Sequence, residues 1–338
     1  MSTSSDNPEG SRLERIPSHM GVQTLVSVVV PTFRRPKGVL RAVESVLKQT
    51  YQNFEILVVV DGPQVATLAA LAKVEDPRLH ILELPENVGV AQSRNIGVSG
   101  AAGQWIAFLD DDDEWLPRKL EAQVELAIRT GGERILLSCY YFDRGASFER
   151  VMPLRKLKPN EPISEFIYCR KGFLSRSGMT QTSTYFVSRR LAHEVPFRAI
   201  RPQEDLDWLM RAASKSDRSF QLVQEPLSIY HNEEKAGREG AVGAFDVFWK
   251  YAHENREHFT PKAFSFYLAT WCAPHVKFSA RPFQRWWQVF RGMSSGSMTL
   301  RTFAFAVFYA LLPFETRRSI RLLISSLRPQ QKEAVSRS

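Results

Sequence analysis

Four consecutive aspartates, Asp110–Asp113, stand at the end of the apolar run WIAFL, which begins at Trp105. Carboxylates gathered this tightly repel one another, and stripping their water is costly. Such a run is either a solvated acidic loop or the seat of a cation. Two features favour the cation: an apolar strand leads straight into the run, and a second apolar run, FEILVVV (Phe54 to Val60), also ends in an acid, Asp61. With no His or Cys beside them, the carboxylates suit a hard cation, Mg²⁺ or Mn²⁺, whose remaining ligands are ordinarily water and a substrate diphosphate. A second acidic pair, Glu204-Asp205, opens the segment EDLDWLMRAAS. Acids at a helix start favour the dipole, and one of them can also serve as a general base.

The elements that must position these groups follow from the apolar pattern. LVSVVV (Leu25 to Val30), FEILVVV, RLHILEL and WIAFL read as strands. Between them, Val39, Leu40, Val43, Val46 and Leu47 recur at helical spacing after Pro36, QVATLAALAKV reads as a second helix, and the small residues of VAQSRNIGVSGAAG predict a closely packed third. Such alternation predicts an α/β fold, a Rossmann-related, mostly parallel sheet flanked by helices. Ligands of such sheets bind beyond the carboxyl ends of the strands. Thr32 to Arg35, Asp61 and the aspartate run should therefore converge on one crevice. Farther on, RILLSCYYF and TSTYFVS read as strands, QEDLDWLMRAAS as a helix, and SFQLV and LSIYH as two short strands. Beyond Ala244 the pattern turns helical and aromatic.

No GxxxxGK[ST] occurs and no GxGxxG follows the first strand, which disfavours a P-loop nucleotidase and a Rossmann dehydrogenase. SVVVPTFRRP, the strand ending VVVDGP, the block ENVGVAQSRNIGVSGAAGQWIAFLDDDDEWLP and the later QEDLDW together resemble a family 2 glycosyltransferase of GT-A fold. The resemblance spans residues 25 to 235. It implies an inverting transferase that uses a nucleotide-diphosphate sugar, a divalent metal and a hydroxyl-bearing saccharide or lipid-linked acceptor. By that similarity Pro31, Thr32 and Arg34 lie along the nucleotide, Asp61 contacts the base and Arg94 lines the donor site. Asp110 and Asp112 match the Asp-x-Asp element, the first towards the ribose and the second on the metal. The run is four long, so Asp111 joins Asp110 on the nucleotide side and Asp113 joins Asp112 as a metal ligand. Asp205 is the implied catalytic base. Two rivals stay open: a two-metal nucleotidyltransferase, which releases pyrophosphate, and a non-catalytic sugar-nucleotide-binding protein. Asp207 and Arg211 read as structural, Trp115 and Trp208 as packing residues. His231 either reaches a phosphate or the metal, or is simply packed.

Composition sets the outer limits. The chain has 338 residues, 43% hydrophobic and 24% charged, as in a globular protein. Three widely spaced cysteines, Cys139, Cys169 and Cys272, point to a reducing compartment, with Cys139 expected in the core. The organisation expected is a mobile tail over 1–23, a transferase domain over 24–240 with a nucleotide-sugar half (24–130) and an acceptor half (131–240), and a helical basic region over 241–338. The net charge of +9 lies wholly in the segment from Lys277 onward. There the apolar stretch TFAFAVFYALLPF (Thr302 to Phe314) is too short to span a bilayer and is followed by Arg317, Arg318 and Arg321. It reads either as an interfacial anchor on an anionic membrane or as a core helix with a basic face. No nucleic-acid motif accompanies the charge. A cytoplasmic protein, peripheral on the inner membrane face, is the expectation.

Overall fold

The valines of strand β1 (Val26–Thr32) are buried on both faces, so the strand demands cover above and below. In the computed structural model that cover is supplied by helices on either side of a sheet to which the described residues contribute nine strands. The structure describes residues 24–312 apart from 147, 171, 174–177, 201–202 and 233–243, together with 316, 319 and 320. The expected tail over 1–23 lies outside them, as do Phe314, Arg317, Arg318 and Arg321.

Helix α1 (Pro36–Leu47) begins with its proline in the first turn and buries Val39, Val43 and Val46. Strands β2 (Phe54–Val60) and β3 (Leu79–Glu83) flank α2 (Val65–Leu71), and α3 (Val90–Gly100) leads into β4 (Trp105–Phe108). These four strands are parallel in the order β3-β2-β1-β4. Small residues let α3 lie close on the sheet, since a Cβ at Gly97 would overlap Val29. The expected α/β layering is present, and the acids sit at the carboxyl end of β4.

Beyond β4 the pairing changes. The acid run does not remain a loop: β5 (Asp113–Trp115) starts on its last aspartate and leads to α4 (Lys119–Thr130). After them come β6 (Leu136–Gly145), β7 (Phe148–Met152), α5 (Ile163–Tyr168), β8 (Phe186–Ser188), α6 (Arg189–Glu194), α7 (Glu204–Lys215) and β9 (Gln221–His231). The sheet continues β4-β8-β6-β9-β5, with β8 antiparallel to both β4 and β6 and β5 antiparallel to β9. Only the last three residues of TSTYFVS are strand, because Thr182–Thr184 form a 3-10 turn capped by the Gln181 side chain. Gln221 to Val223 of SFQLV and all of LSIYH belong to a single strand, β9. Its Pro226 is tolerated where the register with β6 slips between Cys139 and Tyr141.

Helices α8 (Ala244–Glu254), α9 (Pro261–Tyr267), α10 (Pro282–Ser294) and α11 (Leu300–Leu311) follow. They share one hydrophobic cluster with the preceding elements, in which Phe166, Tyr168, Trp208 and Leu209 join Phe248, Phe264, Tyr267 and Phe305. Within the apolar stretch, Phe305, Ala306, Tyr309 and Ala310 are buried, and Tyr309 Oη accepts from Arg170 Nη1 at 2.7 Å. Of the two readings of that stretch, α11 takes the core role along this face. Among the described residues, no helix is long and apolar enough to cross a membrane. The cysteines are free, and burial pushes the Cys139 thiol up to about 12.

One buried charge has a stability consequence. Lys119 is fully buried at the start of α4, its Nζ 2.7 Å from Gln123 Oε1 and 3.7 Å from the Trp115 ring centroid. Burial drives its pKa down to about 7. Between that value and the ordinary lysine range the unfolded chain holds a proton that the folded one lacks, so stability rises with pH across this window. Below it the full cost of the buried ammonium is felt. Lys119→Met should therefore raise Tm by several degrees at pH 6, and the gain should shrink towards pH 10. Thermal melts of both proteins decide it; a lower Tm for the variant at pH 6 would contradict the reading.

Candidate active site

The run after β4 closes on itself, the Asp113 N–H donating to the Asp110 carbonyl at 3.1 Å. Three of its four residues are buried, and each carboxylate has a partner from a different element. Arg94 Nη2 donates to Asp110 Oδ1 at 2.6 Å. Thr32 Oγ1 donates to Asp111 Oδ2 at 2.8 Å, and Arg35 Nη1 reaches both Asp111 Oδ1 (3.0 Å) and Asp112 Oδ2 (2.5 Å). Ser183 Oγ donates to Asp113 Oδ2 at 2.6 Å, while Arg41 Nη2 donates to the Asp112 carbonyl at 3.0 Å. Charge-assisted bonds of this kind offset the cost of burial. Gly38 lets α1 approach, since a Cβ there would stand 2.5 Å from the Asp111 carbonyl oxygen.

Three of the four carboxylates come together. Asp110, Asp112 and Asp113 each offer a carboxylate oxygen within 4.8 Å of the others. All three donors are oxygen, which fits Mg²⁺ or Mn²⁺. Asp111 turns away to Thr32 and Arg35. Burial, reinforced by Asp112 and Asp110 and opposed by Thr32 and Arg35, pushes the Asp111 carboxyl up to about 6.

Asp205 stands in the first turn of α7 and accepts the Leu206 N–H at 2.8 Å. Burial first, then Glu204 and Asp110, raise its pKa to about 6 against the pull of Arg94. Arg94, Asp110 and Asp205 thus share one electrostatic neighbourhood, although they come from α3, the end of β4 and α7. The Nε and Nη1 of Arg94 are buried and find no hydrogen-bond partner among the described residues. Local contacts explain the placement of α7. Asn95 on α3 clamps the backbone of Phe197, accepting its N–H (2.8 Å) and donating to its carbonyl (2.9 Å). Phe197 stacks on Trp208 with ring centroids 4.8 Å apart. Asp207 is buried between Arg198 and Arg211, and Tyr267 Oη on α9 donates to Gln203 Oε1 just before the helix (3.1 Å). The structural readings of Asp207, Arg211 and Trp208 agree with these contacts.

Pro31 and Thr32 end β1. Arg34, in a left-handed conformation with φ 57°, donates its N–H to Gln64 Oε1 and lays its guanidinium over Phe33. Asp61 shapes the adjacent loop, because its carboxylate accepts from Val88 N (2.7 Å), Gly89 N (3.0 Å) and Asn87 Nδ2 (2.9 Å). His231 is packed, its Nε2 2.7 Å from Glu114 Oε1. Arg41 and Ser183 were not singled out from the sequence, and Arg35 only as the end of the Thr32 to Arg35 loop expected in the crevice. Arg35 lies in the conspicuous Arg34-Arg35 pair, whereas Ser183 reaches Asp113 across 70 positions with no local signal.

A sequence profile for glycosyl transferase family 2 matches residues 27–190. The amylovoran biosynthesis glycosyltransferase AmsB of Erwinia amylovora is 29% identical over 254 residues, covering 70% of this chain and 82% of its own. Among solved structures, S. aureus TarS 1-349 aligns with a TM-score of 0.54 at 18% identity, over 90% of this chain and 93% of that one. The mannosyltransferase PcManGT of Pyrobaculum calidifontis, in complex with GDP-Man and Mn²⁺, aligns at 0.52 and 17% identity, over 89% and 84%. At these identities the two structures share a fold with this chain, and that fold is GT-A. The protein is a glycosyltransferase. More narrowly, its similarities lie with family 2, through the matched profile and the relative.

Proposed function

We propose that the enzyme is a metal-dependent inverting transferase. It moves a sugar from a nucleotide-diphosphate donor to the hydroxyl of a saccharide or lipid-linked acceptor in cell-surface polysaccharide assembly. The observation that carries this reading is the oxygen cluster of Asp110, Asp112 and Asp113, joined through Arg94 to a raised-pKa carboxyl at Asp205. AmsB, an amylovoran biosynthesis enzyme by name, supports the polysaccharide context, and the Mn²⁺ bound by PcManGT supports the metal.

In this reading Pro31, Thr32 and Arg34 border the nucleotide, and Asp61 holds the Asn87–Gly89 loop at its base end. Asp110 and Asp111 face the nucleotide, with Asp111 fixed by Thr32 and Arg35. Asp112 and Asp113, with Asp110 near, hold the cation. Bound there, the cation supplies Lewis-acid stabilisation of the departing diphosphate. The unpartnered N–H groups of Arg94 offer donors to the same negative charge. Asp205 takes the acceptor proton as the acceptor oxygen bonds to the anomeric carbon on the face opposite the breaking C–O bond. The nucleoside diphosphate leaves. A base with a pKa near 6 is stronger than an ordinary aspartate and still ionised at neutral pH. We place the enzyme in the cytoplasm at the inner membrane face, where lipid-linked acceptors lie.

A thermal-shift screen of nucleotide sugars tests donor and metal together. One nucleotide class should raise Tm with Mn²⁺ present and do so weakly or not at all with chelator. Stabilisation by no nucleotide sugar would remove the proposal.

A further inference from the structure

The outer face of α10 carries aromatic side chains that the core does not use. Phe283, Trp287 and Phe290 recur at helical spacing and are 90%, 59% and 37% exposed, while Val289 and Met293 point inward and are buried. Trp287 stacks on Phe290 with centroids 5.8 Å apart, and Phe290 meets Phe303 of α11 edge-on at 6.4 Å. Leu300, one turn before Phe303, is 86% exposed. The stripe therefore runs unbroken across two helices. Contiguous apolar surface of this kind marks an interaction site.

The charge around the stripe has one sign. Lys277, Arg281, Arg291 and Arg301 are exposed beside it, and no acid occurs between Lys277 and Leu312. The acid that reaches α10 from a neighbouring helix, Asp246, pairs with Arg285 at 2.5 Å. We infer that this stripe, rather than the apolar stretch at 302–314 as a whole, is the surface by which the protein docks on a membrane rich in anionic lipid. Aromatic side chains suit the headgroup boundary, where Trp and its like settle, and the surrounding cations meet anionic headgroups. A second copy of the chain fits less well, since a symmetric pairing on this face would set the same arginines against each other. The inference adds a partner to the proposed function. It needs neither the donor nor the metal, so its failure and the failure of that reading are separate events.

The test is sedimentation of the full chain with vesicles of phosphatidylcholine alone or with about a third of phosphatidylglycerol, at low and high salt. The protein should bind the anionic vesicles and be partly released as salt rises, because only the electrostatic component is screened. Phe283→Ser with Trp287→Ser should lower partitioning about ten-fold or more and remove the salt-resistant fraction. Both side chains are exposed, so the variant should keep the parent's Tm and its nucleotide-sugar hydrolysis. Arg281→Gln with Arg291→Gln provides a second reading, with a comparable loss and a flatter salt dependence. Failure of the parent protein to bind anionic vesicles, or undiminished binding by both variants, would overturn the inference. So would a dimer in solution that Phe283→Ser with Trp287→Ser converts to monomer.

Discussion

Asp205→Asn is expected to lower turnover by about 10²–10⁴-fold, the usual worth of general-base catalysis, while donor and metal affinity stay near those of the parent enzyme. Asparagine keeps the shape of the side chain and its bond to the Leu206 N–H, but it cannot take the acceptor proton. The pH profile carries the same prediction. Asp205 titrates near 6, so the rate of the parent enzyme should fall as pH drops through that value. Asp111 titrates in the same range, so the acidic limb belongs to the two carboxyls jointly. A raised carboxyl pKa means that the fold binds a proton more tightly than the unfolded chain between about pH 4 and 6, so this group's contribution to stability falls across that window as pH rises. At neutral pH the ionised Asp205 therefore burdens the fold, and the variant should melt at or above the parent. If donor affinity collapsed along with turnover, Asp205 would be a binding residue and the assignment of the base would fail.

Asp112→Asn is the second large effect. It removes one charge from the three-carboxylate cluster and should abolish the Mn²⁺-dependent part of donor stabilisation and cost transfer at least about 10²-fold, the scale of losing one electrostatic contact to a developing anion. Excess chelator should reduce the parent enzyme in the same way. Without metal, the crowding of like charges favours a higher Tm for this variant, while Arg35, which spans Asp111 and Asp112, would lose one of its partners. Full activity in the variant or in chelator would exclude a catalytic metal at this cluster.

How much of this was legible in the sequence depended on whether the signal was local. The parallel half was readable because β1 and β2 are nearly continuous apolar runs buried on both faces, with helical spacing between the strands. The second half was not. β5 is three residues long and acidic at its start, and it exists only because β9 pairs with it, Asp113 opposite Tyr230. β9 contains a proline that argues for two strands until the bulge opposite Tyr140 is seen. The site divides along the same line. The aspartate run, Arg94 and Asp205 announce themselves by residue type and motif. The grouping of Asp110 with Asp112 and Asp113 depends on the turn that the run makes, and the support from Arg35, Arg41 and Ser183 on tertiary approach. The C-terminal region left two readings open for a further reason. Both α10 and α11 are aromatic on more than one face, so composition could not tell which rings enter the core. Phe305 and Tyr309 do, whereas Phe283 and Trp287 do not.

The most direct test of the account is the identity of the products. A nucleotide-diphosphate sugar that passes the thermal-shift screen should be incubated with Mn²⁺ and a hydroxyl acceptor and followed by NMR of phosphorus and of the anomeric proton. The account predicts release of nucleoside diphosphate, formation of a glycoside whose anomeric configuration is opposite to that of the donor, and formation of both about 10²–10⁴-fold more slowly when Asp205 is replaced by Asn. Release of pyrophosphate, or a glycoside of retained configuration, would contradict it.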